Sequence, residues 1–241
     1  MIRDDFIEVS PLKILEYSSQ GGLGKGNLGV FIARAGVGKT ACLIHIALDN
    51  LFRKRKLIHV SVGEAPEKIT AYYRAILNDL SHALDLPESE EERLIVERNR
   101  MILAYGASSF SADMLEKSIR NMIDSIDFAP DTIIVDGLDF GKAERSFFIR
   151  AKELAEKYQA EVWFSARSHR HVAEENDRGI PYPCSDLDDL FNVIIYLDPS
   201  NKGVFLRLVK DHDSASAPDI SIQLDPATFL LAGKETSVQD R

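Results

Sequence analysis

Residues 28–40 read Leu-Gly-Val-Phe-Ile-Ala-Arg-Ala-Gly-Val-Gly-Lys-Thr, an apolar run that passes straight into a loop of small residues. A continuous, β-branched-rich run of this length predicts a strand over Leu28–Ala33. The residues after Thr40 carry Leu43, Ile46, Ala47 and Leu51 at helical spacing, so a helix follows the loop. A glycine-containing loop between a strand and a helix lets backbone N–H groups converge on an anion, and the positive end of the helix faces the same point. Lys39 would reach the β- and γ-phosphates of a nucleotide, and Thr40 would place its hydroxyl on Mg²⁺. The candidate nucleotide-binding set is therefore Arg34, Ala35, Gly36, Val37, Gly38, Lys39, Thr40 and Ala41. The usual loop motif opens with glycine where this chain has Ala33, a position near the strand conformation that tolerates a Cβ. The competing reading is a chance glycine-rich turn.

Outward from the loop, strands and helices alternate. Short apolar runs predict strands at Leu57–Val62, Met101–Tyr105, Thr132–Val135 and Glu161–Ser165. Between them, helical spacing joins Ile69, Tyr73, Ile76, Leu80 and Leu84, then Leu115, Ile119, Met122 and Ile126, then Phe147, Ala151, Leu154 and Tyr158. The charged stretch 88–99 predicts a connecting helix, and Arg53-Lys54-Arg55-Lys56 a basic helix stop that complements the macrodipole. Such alternation implies a parallel sheet covered on both faces. The pattern changes at Ala166–Asp189, a polar stretch too long for an ordinary connection, which predicts a functional loop or lid. Asn192–Leu197, Gly203–Lys210, Ile220–Leu224 and Thr228–Leu231 follow as closely spaced strands, expected to add antiparallel to the sheet. Residues 1–27 read as a lead-in, 28–232 as one domain and 233–241 as a loose tail.

The chain has 241 residues and a formal net charge of −9, so no general basic footprint for nucleic acid or an anionic membrane is present. Two cysteines, Cys42 and Cys184, lie far apart without metal-type spacing and fit a reducing compartment. The first residues are acidic and carry no apolar signal core, and no window is apolar enough to span a membrane. A cytoplasmic location without membrane insertion is expected.

Two carboxylates are candidates for the chemistry. Asp136 ends a hydrophobic strand where it can serve a metal site, although many strands end in Asp-Gly turns. Glu64 follows the second strand at the same sheet edge. It either orients an attacking water or acts as a helix N-terminal acid stabilised by the dipole.

The segment Gly21-Gly22-Leu23-Gly24-Lys25-Gly26, the strand after it and Ala35-Gly36-Val37-Gly38-Lys39-Thr40 together resemble the entry of RecA-like ATPases, especially the KaiC and DnaB branches. The resemblance extends through Glu64 and Pro-Asp-Thr-Ile-Ile-Val-Asp136 to the polar loop and strand ending near Leu197, covering about Gly21–Asp211. It implies a three-layer RecA-like α/β fold with a mainly parallel sheet, helices on both faces and antiparallel strands at the C-terminal end. It also implies ATP and Mg²⁺ as cofactors, Glu64 as the catalytic glutamate, and Thr40 and Asp136 as the metal-site residues. Where the family carries a polar sensor at the end of the fifth strand, this chain has Ser165-Ala166-Arg167. Such sites are completed at a subunit interface by a neighbour's cation. Arg207 and Lys210 occupy the corresponding late strand, alternation sets them on opposite faces, and Lys210 is the favoured residue. Arg74 is a candidate for stacking on adenine.

The expectation is a self-associating ATPase that acts as a regulatory or signalling module through a protein partner. The alternatives are a DNA-handling motor using loop 166–189, where Arg167, His169, Arg170 and His171 form a basic cluster, and a nucleotide-binding scaffold without turnover. Nearby Glu174, Glu175 and Asp177 cancel the charge of that cluster, which disfavours nucleic acid.

Overall fold

A computed structural model describes residues 2–18, 21–85, 90–168, 175–201, 203–214 and 220–232. Its strands are β1 (Leu28–Ala33), β2 (Leu57–Val62), β3 (Arg100–Tyr105), β4 (Thr132–Asp136), β5 (Glu161–Arg167), β6 (Val193–Ser200), β7 (Gly203–Asp211) and β8 (Ser221–Leu224). The helices are α1 (Ile2–Val9), α2 (Lys39–Phe52), α3 (Pro66–Ala83), α4 (Glu90–Asn99), α5 (Ala112–Ile126) and α6 (Arg145–Tyr158). A 3₁₀ segment, Pro11–Tyr17, follows α1.

The sheet order is β3-β2-β4-β5-β1-β6-β7-β8. Strands β1 to β6 pair in parallel, while β7 and β8 add antiparallel. From β1 the chain steps outward past β5 and β4 to β2 and β3, then returns to β4, β5 and finally β6. Right-handed crossovers assign outward steps to one face of the sheet and return steps to the other. The two cores agree. Leu43 and Leu51 of α2, Ile69 and Tyr73 of α3 and Val96 of α4 pack with Phe31, Ala33 and Trp163. On the other face, Leu115 and Ile119 of α5 and Phe148 and Leu154 of α6 pack with Val30, Ile32, Phe164 and Ala166. The central strands β1 and β2 are buried along their whole length, which explains why they read as apolar runs without alternation.

Residues before the first strand are built into the domain. Phe6, Leu12, Ile14 and Leu23 are buried in the α2-side core. Ser10 caps the 3₁₀ segment by accepting from Leu12 N at 3.2 Å. Ser18 donates to Asp211 Oδ1 at 2.7 Å, tying the segment to the end of β7.

Several elements differ from the sequence reading. Thr228–Leu231 is a turn rather than a strand. Asp225 Oδ1 accepts from the backbone N–H groups of Ala227 and Thr228 at 2.8 and 2.9 Å, an Asx arrangement that competes with ladder pairing. Only Leu231 makes a bridge there, to Leu224. On α6 it is Phe148 rather than Phe147 that is fully buried, and Ile126 at the end of α5 is 56% exposed. Arg207 and Lys210 are not on opposite faces. A register shift in the β6–β7 ladder pairs Tyr196 with Arg207 but Ile194 with Lys210, so an extra residue of β7 turns both toward the α5/α6 side. The described half of the long connection packs on the same side, with Ile180, Cys184, Leu187 and Phe191 buried. His169, Arg170, His171 and Glu174 lie outside the described residues, as does the tail from Gly233.

Burial of two histidines gives the fold a pH dependence. His45 pairs through Nδ1 with Ser10 Oγ at 3.2 Å, and His59 through Nδ1 with the Tyr73 hydroxyl at 3.0 Å. Desolvation disfavours the charged ring at both, lowering His45 to about 3 and pushing His59 down as well. Below pH 6.5 the unfolded chain binds protons that the folded rings refuse. Stability is therefore complete above that pH and declines as pH falls toward the folded-state values. Denaturation midpoints should drop between pH 6.5 and 5, with each ring contributing about 2 kcal/mol at most. His45→Phe should flatten part of the slope, and a profile that is already flat in the parent protein would show that the rings are not buried neutral.

Candidate functional site

The carboxyl ends of β1, β5 and β4 lie side by side, and the loop after β1 wraps the first of them. Helix α2 begins at Lys39, with Gly38 at its N-cap at φ 98° and no side-chain cap, so the first N–H groups of the helix face the loop unclaimed by a side chain. The left-handed φ at Gly38 is one that residues with a Cβ rarely adopt. Space is closed there too. A Cβ on Gly38 would sit 1.9 Å from the ring of Phe229. This ring comes from the C-terminal turn held by Asp225 and lies directly on the loop. Nothing in the residue pattern announces that contact, because it joins positions almost two hundred apart.

Within the loop, the Lys39 ammonium donates to the carbonyls of Ala33 and Arg34 at 2.9 and 2.8 Å. Burial lowers its pKa, Asp136 pulls it back up, and the positive charge of Arg167 lowers it again. Arg34, Val37, Gly38, Thr40 and Ala41 are half-buried, while Ala35 and Gly36 are exposed at the loop tip.

Thr40 and Asp136, assigned together from the sequence, do meet. Thr40 Oγ1 donates to Asp136 Oδ2 at 2.7 Å. The second carboxylate oxygen is also engaged, since Ser165 Oγ donates to Asp136 Oδ1 at 2.5 Å and accepts from Gly137 N at 3.1 Å. Ser165 is thus a clamp on Asp136, a role missed in the sequence reading. Its signal was available, because a small hydroxyl at the buried end of β5 adjoins β4. Gly137 makes the tight exit possible at φ 87°, and a Cβ there would lie 2.5 Å from the Val62 carbonyl of β2. A hydroxyl and a carboxylate are hard oxygen donors, the kind Mg²⁺ takes. Among the described residues no cluster of three or more His, Cys, Asp and Glu is placed to hold a metal ion.

Glu64 stands at the same sheet edge, after β2, with its carboxylate half exposed and paired to Lys68 at 2.8 Å. Its backbone carbonyl accepts from Ser61 Oγ at 3.0 Å, which fixes the chain there but leaves the side chain facing solvent. Lys210 is not brought to the loop of its own chain. It sits opposite Ile194, near the start of β6 and level with the beginning of β1. Its ammonium donates to the Asp188 carbonyl. Burial lowers its pKa, opposed by the charge of Asp188. Arg207, opposite Tyr196, is the nearer of the two to the loop edge. Arg74 is exposed on α3.

A cavity of about 600 Å³ opens on the α5/α6 side of the sheet, lined by Val62, Phe110, Leu138, Phe147, Lys142 and Arg150 among others. It shares no residue with the phosphate loop. The Ala166–Asp189 connection is pinned in its described half. Arg145 donates to the Asp186 carbonyl at 2.6 Å and pairs with Asp189, and Arg178 pairs with Asp188 at 3.3 Å. Among the described residues no helix is long and apolar enough to cross a membrane.

No protein-family model matches the chain, and no curated protein matches it. The site geometry therefore carries the functional argument.

Gly38→Ala tests the loop directly. The substitution meets both a left-handed backbone and the Phe229 ring, so it should lower the melting temperature by several degrees. Pairing it with Phe229→Ala separates the two causes. If the ring is the obstacle the double variant recovers much of the loss, and if the backbone is the obstacle it recovers none.

Proposed function

We propose that this chain binds Mg·ATP in the loop Arg34–Ala41 and hydrolyses it, with the RecA-like ATPase fold implied by the sequence resemblance. The observation that carries the reading is the bond between Thr40 and Asp136. It joins the first turn of the helix after the phosphate loop to the acid ending β4, two residues 96 positions apart in the chain. The placement of β5 between β1 and β4 supports the same reading, since it holds loop and acid at one edge.

In this reading the loop amides and the α2 N-terminus bind the phosphates. Lys39 leaves the loop carbonyls to contact the β- and γ-oxygens. Thr40 and Asp136 would hold Mg²⁺, whose chemistry is to neutralise charge on the phosphate oxygens. Ser165 keeps the Asp136 carboxylate turned toward Thr40. Glu64 orients the attacking water and accepts its proton, which requires it to leave Lys68. A carboxylate half exposed to solvent gives up such a pair at small cost, because exposed ion pairs contribute little. A cytoplasmic setting is part of the proposal and is supported by Cys42 and Cys184, both buried and unpaired. Burial pushes the Cys42 thiol up to about 12, so it stays a thiol rather than a thiolate. Self-association and a protein partner belong to the proposal as well.

The Glu64–Lys68 pair also favours a second reading, a nucleotide-dependent binding module that does not turn over alone. The pinned half of the 166–189 connection and the net charge of −9 give a DNA motor no comparable support.

Hydrolysis of Mg·ATP measured against protein concentration decides between the first two. Lys39→Ala should abolish binding and turnover. Glu64→Gln should keep binding and reduce turnover by about 10²-fold or more. Activity per chain that rises with concentration marks a composite site. ATP binding without turnover sensitive to Glu64→Gln would leave the binding module as the correct reading.

A further inference from the structure

Ser165 and Arg167 both stand where a sensor of the terminal phosphate is expected, and the structure separates them. A serine hydroxyl has one proton to donate. That of Ser165 goes to Asp136 Oδ1, and its lone pair is used by Gly137 N. It has no donor left for a phosphate oxygen. Arg167 is different. Its guanidinium has five donors, and among the described residues none is spent on a hydrogen bond or an ion pair.

The register fixes where Arg167 lies. Phe31 pairs with Ser165 and Ala33 with Arg167 along β1 and β5, and the backbone N–H of Ser168 donates to the Ala33 carbonyl at 3.0 Å. Phe31, Ala33 and Trp163 belong to the core on the α2 side, whereas Phe164 and Ala166 belong to the other face. Side chains two apart share a face. Arg167 therefore leaves β5 on the same face as Trp163, Ser165, Lys39 and Thr40, one step beyond Ser165 and over the carboxyl edge. It is also beside the residue where the phosphate loop begins. Arg167 and Lys39 place two positive charges at this edge, beside the negative charge of Asp136, whose two oxygens are already engaged by Thr40 and Ser165, while the Glu64 carboxylate is paired with Lys68. Like charges set side by side are costly unless an anion joins them, and a guanidinium fork matches phosphate oxygens two at a time.

We propose that Arg167 grips the terminal phosphate of ATP in cis and stabilises the charge that develops on it during hydrolysis. The proposal rests on the reading of the loop as an ATP site. In the step concerned, the water oxygen forms a bond to the γ-phosphorus as the bond from that phosphorus to the β–γ bridging oxygen breaks. The water proton passes to Glu64, and ADP and inorganic phosphate leave. Arg167 gains and loses no proton; it contributes fixed charge and direction. That charge comes from the chain's own β5.

Equilibrium binding of Mg·ADP and of Mg with the β,γ-imido analogue of ATP, to the parent protein and to Arg167→Ala, Arg167→Lys and Lys39→Ala, tests this. Arg167→Ala should weaken the triphosphate analogue by about tenfold or more and leave ADP within about twofold, the scale of lost charge-assisted hydrogen bonds. Arg167→Lys should recover part of the loss, and Lys39→Ala should weaken both ligands. In single-turnover hydrolysis, a mixture of Arg167→Ala and Lys39→Ala chains should remain inactive. Loss of both ligands to the same degree in Arg167→Ala, or of neither, overturns the proposal while the ATP site stands. Activity restored in the mixture overturns the cis assignment. A parent protein that binds neither nucleotide removes the ATP reading and this proposal with it.

Discussion

The handedness of parallel crossovers is the constraint on which everything else in this domain depends. Once β1 is followed by a step past two strand positions to β2, the α2 helix must cover one face, and every return step must cover the other. Two positions left open beside β1 are later filled by β4 and β5. As a result the phosphate loop, the end of β5 and the end of β4 come together without any of them being adjacent in sequence. The site is a consequence of strand order before it is a consequence of side chains, in keeping with the tendency of open α/β sheets to place ligands beyond the carboxyl ends of their strands.

Given that frame, the side chains at the edge form one connected unit. Thr40, Asp136, Ser165 and Gly137 share three hydrogen bonds that run from α2 through β4 to β5. Such a chain orients a carboxylate more sharply than any single partner could, since each of its oxygens has an assigned donor. It also means that movement at the loop is felt at β5. If Thr40 turns from Asp136 toward a ligand, Asp136 keeps Ser165 and loses one of its two restraints. The strand carrying Ser165 also carries Arg167, two residues on. The loop after β1 and the end of β5 are thus joined through one carboxylate.

How much of this could be read from the residues depended on the range of the interaction. The apolar runs of β1, β2 and β4 and the helical stripe of α3 are local patterns, and the positions they indicate are buried apart from Leu84, the half-buried C-cap of α3. The contact between Thr40 and Asp136 was legible because the residue pattern set both at the carboxyl edge of the sheet. The bulge in β7 was not legible, since one added residue leaves no mark on composition yet turns Lys210 to the face that Arg207 shares. Nor was the turn after β8, where Asp225 redirects backbone N–H groups that apolar Phe229, Leu230 and Leu231 suggested for a strand. The lead-in showed no clean period, but Phe6, Leu12 and Ile14 fill the α2-side core, a packing decision made only in three dimensions.

Charge distribution gives the edge its chemical character. The chain as a whole is acidic, and several acids on the helix faces are matched by nearby cations. Glu116, for example, is held below the usual carboxylate range by its hydrogen bond to Lys157, with Arg150 and Arg120 close by. The edge at the loop after β1 is arranged differently. There Lys39 is partly desolvated and satisfied only by carbonyls, and Arg167 has no acidic partner among the described residues. Two cations therefore lie beside a carboxylate whose oxygens are both engaged, so positive charge is left over at this edge. Desolvation at Lys39 strengthens the field of that charge locally. Under the proposed reading, that leftover charge is what a compact, highly charged anion such as the phosphates of a nucleotide would meet in the loop.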